Sequence, residues 1–170
     1  PGNVAAYVNL GIALKENGAL DAAIDILRKL LHLKPDCAEA FNNLGNIFRE
    51  KGEIEEAIES YKKAVSLEPN LIRAYINVGN ILNEYGQLWE AVNFYKKALK
   101  IAPNDPDLYV NLANILKTKK FNSVQKEISE LIEIILDKKI YVRPKEICYS
   151  AISLVKHEPL LKKYISKNVY

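Results

Sequence analysis

The sequence predicts an all-α fold, an α-solenoid of stacked helix-turn-helix pairs closed by C-terminal capping helices. Pro35, Pro69 and Pro103 stand 34 residues apart. Gly18, Gly52 and Gly86 keep that spacing, as do Ala23, Ala57 and Ala91. Asn9, Asn43, Asn77 and Asn111 carry it into a fourth repeat. A fixed period of this length marks supersecondary modules that cannot bury their apolar faces alone and must stack.

The repeats begin at Val4, Ala38, Ile72 and Pro106. Position 4 of each is aromatic (Tyr7, Phe41, Tyr75, Tyr109), and position 7 is Leu10, Leu44, Val78 or Leu112. Position 8 is small (Gly11, Gly45, Gly79, Ala113), and position 11 is Leu14, Phe48, Leu82 or Leu116. These offsets form the apolar stripe of an amphipathic helix. The small residue at position 8 lets a second helix approach closely.

Gly18, Gly52 and Gly86 then predict a turn, because glycine accepts positive φ beyond a helix end. The second helix carries Ala23, Ala57 and Ala91 four residues before Leu27, Tyr61 and Tyr95, with Leu30, Ala64 and Ala98 three further on. The prolines cannot continue that helix, so the chain turns into the next repeat.

The fourth repeat keeps its first helix, but Lys120 replaces the turn glycine and Gln125 the alanine. An amphipathic helix is predicted over 124–136 through Ile128, Leu131, Ile132, Ile135 and Leu136. Arg143-Pro144 predicts a further helix start, and Pro159 opens a last short segment. The expected organisation is a repeat array over 1–120 and an irregular helical cap, or junction to another domain, over 121–170. Such a cap covers the open end of a stacked array.

These residues resemble the tetratricopeptide repeat over about 4–121: aromatic-x-x-Leu-Gly, the turn glycine, the mid-helix alanine and the closing proline fall at the family's offsets. The resemblance implies a right-handed superhelix whose first helices line a concave peptide-binding groove. Asn at position 6 of every repeat lies about 200° from position 4 at about 100° per residue, off the packing stripe. Asn46, Asn80 and Asn114 add position 9, while Ile12 breaks that series in the first repeat. The amides of Asn9, Asn43, Asn46, Asn77, Asn80, Asn111 and Asn114 form an expected ladder able to pair with a peptide backbone. Val8, Ile12, Arg49, Arg73, Ile76 and Val110 are expected to contact its side chains. The alternative is that the amides only bond between neighbouring helices.

The ladder resembles that of O-linked N-acetylglucosamine transferases and bacterial repeat-fused transferases, which implies substrate recruitment to a glycosyl- or methyltransferase. A free-standing scaffold is the other reading. Carboxylate-clamp repeats of the chaperone-binding kind fit poorly: Val8, Ile12 and Asn77 occupy their required places, and only Asn43 and Arg73 agree.

Composition bounds the rest. The net charge is +3, yet residues 1–116 carry 12 basic against 15 acidic side chains and residues 117–170 carry 12 against 6. Only Arg143 among the latter cations is an arginine, so a solvated lysine face outranks a nucleic-acid contact. No apolar run reaches the roughly 18 residues of a membrane span. Cys37 and Cys148 lack metal-like spacing, and a reducing cytoplasm is expected. The start at Pro1 and the absence of Met point to a piece of a longer protein. His32 and His157 have no neighbouring ligand pattern. The expectation is therefore no catalytic residue, no metal and no cofactor in this chain, a protein or extended peptide as partner, and self-association through the first helix. Tyr61, Tyr95 and Trp89 are expected to pack.

Overall fold

The computed structural model describes residues 3–118 and 134–135. These contain seven α-helices, and no strand occurs among them: α1 Val4–Glu16, α2 Leu20–Leu33, α3 Ala38–Lys51, α4 Ile54–Leu67, α5 Ile72–Glu84, α6 Leu88–Ile101 and α7 Pro106–Thr118. The first helices start at the four residues the period marks. The chain divides into two compact parts, Pro1–Ile101 and Ala102–Tyr170, and α7 lies in the second.

In the first part, α1 packs on α2, α3 on α4 and α5 on α6, while α2 also meets α3 and α4 meets α5. The first helices touch in series, α1 on α3 and α3 on α5. Each pair turns the same way. Gly18, Gly52 and Gly86 sit at φ of 75°, 79° and 78°, the left-handed conformation only glycine takes cheaply. The residue after each glycine donates its N–H to the carbonyl five back: Ala19 to Leu14 at 2.9 Å, Glu53 to Phe48 at 2.9 Å and Gln87 to Leu82 at 2.8 Å. That is the six-to-one bond of the Schellman motif, and it satisfies a carbonyl that the helix end leaves open.

Packing within a pair rests on position 8. An added Cβ on Gly45 would stand 2.5 Å from the Tyr61 ring, and one on Gly79 2.5 Å from the Tyr95 ring. Both rings are buried, as are Leu27, Leu30, Ala57, Ala64, Ala91 and Ala98.

Packing between pairs uses residues the sequence reading did not single out. Ala40, Ile47, Ala74 and Ile81, at positions 3 and 10, are 0% exposed. With Leu44 and Val78 at position 7 they form an i, i+4, i+7 row on the first helix. In α1 the same row is Ala6, Leu10 and Ala13, and all three are exposed. Leu10 lies on the apolar stripe yet 46% of it is accessible, because no helix among the described residues packs on that side of α1. Asn3 caps α1 by accepting from the Ala6 N–H at 3.2 Å.

In the second part, α7 starts with Pro106, whose missing N–H costs nothing at a first helical position. The Asp105 side chain accepts from the Asp107 N–H at 3.0 Å, and Tyr109 Oη donates to the Pro103 carbonyl at 2.7 Å. Leu108, Leu112 and Ile115 are 0% exposed. Ile135 is helical and buried; the predicted helix over 124–136 otherwise lies outside the described residues. The readings of Lys120, Gln125 and the helical segments after Arg143 and Pro159 lie outside the described residues.

Candidate functional site

The amides of the first helices form a polar seam. Asn77 Nδ2, on α5, lies 3.0 Å from Asn42 Oδ1 and 3.2 Å from Asn46 Oδ1 on α3. Its two hydrogens can serve one acceptor each. Asn46 Oδ1 also accepts from Tyr61 Oη at 2.9 Å. One repeat later Asn80 Oδ1 accepts from Tyr95 Oη at 2.6 Å. Second-helix tyrosines therefore hold the position-9 amides in place, while Asn77 ties two first helices together.

This seam gives the ladder a direction. Asn46 Oδ1 accepts twice and Asn80 Oδ1 once, so the first oxygen is filled and the second half filled, and the Nδ2 hydrogens of both are left for a ligand. Asn77 has committed its hydrogens, which leaves its carbonyl oxygen. Asn43 differs. Shifting the Asn77 contacts back by 34 residues puts Val8 and Ile12 where Asn42 and Asn46 stand. Asn43 is half-buried and has no hydrogen-bond partner among the described residues, so its whole amide is uncommitted. Asn9 is exposed.

Charges flank the seam in the same rhythm. Lys15 pairs with Glu50 at 3.5 Å and Arg49 with Glu84; each pair joins position 12 of one repeat to position 13 of the next. Arg73 is exposed. Burial pushes the Tyr61 hydroxyl up to about 12, with Arg49 opposing and Glu84 adding. Burial pushes Tyr95 up as well, with Glu84 adding and Arg49 opposing. Both phenols remain neutral donors to their asparagines at ordinary pH.

Other expected contacts fare unevenly. Val8 is a correction: it is 2% exposed and cannot line an open groove, because position 5 faces the next first helix, as Asn42 does. Ile12 and Ile76 are half-buried, and Val110 is 43% exposed. Asn111 is half-buried and Asn114 exposed on α7, which belongs to the second part and is described by itself. Trp89 is half-buried.

Sequence reasoning missed Asn42, since position 5 holds Val8, Asn42, Ile76 and Val110 with no period. It also missed that Tyr61 and Tyr95 orient amides. A signal for that existed: Asn46 goes with Tyr61 and Asn80 with Tyr95, whereas Ile12 goes with Leu27.

Three stretches match family models of this repeat: residues 4–37 match the tetratricopeptide repeat, and residues 45–86 and 79–120 match the TPR repeat. Together they cover well over half of the sequence. The chain belongs to the tetratricopeptide repeat family. Solved structures agree on the fold. A crystal structure of MamA superimposes with a TM-score of 0.65 at 22% identity, covering 92% of this chain and 83% of that one. The Arabidopsis OM64 TPR domain gives 0.63 at 18% identity, over 68% of this chain and 96% of that one. The first TPR of Spaghetti (RPAP3), solved with the HSP90 peptide SRMEEVD, gives 0.61 at 22% identity, over 66% and 89%. No curated protein matches the sequence.

Amides, ion pairs and neutral phenols supply hydrogen-bond donors and acceptors and charge. Among the described residues of this tetratricopeptide repeat chain, no His, Cys, Asp and Glu cluster could hold a metal ion. No helix among them is long and apolar enough to cross a membrane.

Proposed function

We propose that this chain is a peptide-binding module whose first-helix amides grip the backbone of an extended partner segment, and that it recruits substrates to a larger protein such as a glycosyl- or methyltransferase. The observation that carries the reading is the oriented seam: Tyr61 and Tyr95 donate to Asn46 and Asn80 and leave their Nδ2 donors for a ligand, while Asn43 keeps its amide uncommitted. A backbone supplies both the acceptors and the donors this pattern needs, whatever its side chains. The RPAP3 domain, a structural neighbour solved with a peptide, supports a peptide as the kind of ligand. The buried Val8 and apolar Ile12 make its acidic chaperone peptide a poor fit here.

The reading limits affinity. A net hydrogen bond is worth about 0.5–1.5 kcal/mol, and ordering each peptide residue costs about 1–2 kcal/mol, so side-chain contacts must supply the surplus. Binding near micromolar, about −8 kcal/mol, is expected.

The test is selection of displayed random peptides on the wild-type chain, followed by affinity measurement on Asn43→Ala with Asn9→Ala. These two have no described intramolecular partner, so the fold should survive by circular dichroism. Loss of binding supports a backbone-reading groove. Unchanged affinity sinks it, and the seam is then purely structural. Asn77→Ala is the contrasting variant, since it removes a structural tie as well.

The exposed Ala6, Leu10 and Ala13 row favours a second reading, a free-standing scaffold that self-associates through α1. Sedimentation of the wild type and Leu10→Lys across concentration tests it; a monomer throughout removes it.

A further inference from the structure

The first two repeats carry the same pocket twice, away from the amide seam. One, of about 660 Å³, is lined by Tyr7, Asp25, Arg28, Lys29, His32 and Leu33. The other, of about 470 Å³, includes Phe41, Glu59, Ser60, Lys62 and Lys63. Shifted by 34 residues, aromatic falls on aromatic, carboxylate on carboxylate, and the cation pair on the cation pair.

In the third repeat the corresponding place is filled from within the chain. It keeps the aromatic and the cations as Tyr75, Lys96 and Lys97, but puts Phe94 where the second repeat has Ser60. The Phe94 ring lies 6.2 Å from the Tyr75 ring, tilted by 46°, and Lys97 Nζ sits 5.4 Å over its face. Tyr75 is accordingly 9% exposed, whereas Tyr7 and Phe41 are only half-buried. The chain closes this place with its own aromatic in one repeat and leaves it open in two.

We infer that the open pockets dock aromatic side chains of an acidic peptide segment of a partner protein. The ring lies against Tyr7 or Phe41 beneath Lys29 or Lys63, as Phe94 does in the third repeat. A ring between an aromatic edge and an ammonium gains on both faces. Neighbouring acidic residues meet Arg28 and Lys29, which outnumber Asp25 in the first pocket. Lys62 already pairs with Glu90 at 2.7 Å, so the first pocket is the more basic of the two. Asp25 and Glu59 suit a peptide, whose N–H groups they can accept from, and repel a phosphate backbone. This site stands apart from the amide seam and does not rest on it.

The probe is a fluorescein-labelled peptide of Trp residues spaced by Glu, titrated with the wild-type chain by anisotropy. Ser60→Phe should close the second pocket as Phe94 closes the third, without harm to the fold. Lys29→Glu should spoil the first. The combined variant is expected to bind about tenfold more weakly, and a probe with Ala for Trp should lose as much. Equal binding by the wild type and the combined variant overturns the proposal. So does equal binding by the Ala probe, or displacement by an oligonucleotide of matching charge, since either shows attraction to charge alone. Lys63→Glu, a change at an exposed residue, gives an independent reading of the second pocket.

Discussion

Gly45→Ala puts the helix-pair packing to a direct test. A Cβ there would stand 2.5 Å from Tyr61 Cδ1 and Cε1 and 2.9 Å from Cζ, against an optimum of about 3.5–4.0 Å between carbons. The ring cannot swing away cheaply. Tyr61 is 0% exposed, and its hydroxyl is tied to Asn46 at 2.9 Å. Overpacking of this kind costs about 1–3 kcal/mol, and loss of the hydroxyl bond adds about 1 kcal/mol. Replacing glycine by alanine inside a helix returns about 1 kcal/mol. The net expectation is a destabilisation of about 1–3 kcal/mol, read from urea unfolding followed by circular dichroism.

Gly11→Ala is the internal control. Its added Cβ would meet Leu27 Cδ2 at 2.9 Å and Cγ at 3.0 Å, and a leucine end can rotate where a tethered ring cannot. Its cost should fall below that of Gly45→Ala. If Gly45→Ala unfolds at the wild-type urea concentration, or Gly11→Ala proves the costlier, the reasoning fails.

Two further outcomes follow from burial and ionisation. Tyr61 titrates near 12 when folded and near 10 when unfolded, so its contribution is complete below about pH 10 and is lost as pH rises toward 12. Its share of the stability should fall by about 2–3 kcal/mol across that window, buried Tyr95 adding a loss in the same direction, and Tyr61→Phe should reduce the fall in an alkaline melting series without abolishing it. Leu44→Ala, at a residue 4% exposed, should cost about 2–5 kcal/mol, while Leu10→Ala, at the same position of the first repeat, should cost well under half as much; equal losses in thermal melts would refute the account of the between-repeat row.

The fold was legible because glycine, alanine and proline each answer a backbone demand that recurs unchanged. Gly18, Gly52 and Gly86 supply the same positive φ, and a period of such residues survives wide variation elsewhere. The between-repeat row was harder to see. Ala40 and Ala74 are small and unremarkable in hydropathy, and only their neighbours in space show that they are core. Leu10 shows that periodicity records what a position can pack against, not whether a partner is there.

The candidate site was half legible. An asparagine period on a non-packing face announced a polar seam, but amide orientation depends on which partner holds which atom. Asn46 and Asn77 look alike in the sequence, yet one has its oxygen engaged and the other its hydrogens, because Tyr61 reaches only the first. Val8 shows the converse, an apolar residue drawn into the seam side of α1 by the helix that follows.

The polar ties of the first part are short in sequence. Asn77 reaches back to Asn42 and Arg49 forward to Glu84, each across 35 residues, and Tyr61 reaches Asn46 across 15. No tie among these asks distant ends of the chain to find each other, so little loop entropy opposes any single step. As the polypeptide emerges during synthesis, a helix pair can close its turn, seat its tyrosine beneath the glycine and then wait for the next first helix to lock onto it. Assembly of this kind advances like a ratchet, one repeat at a time.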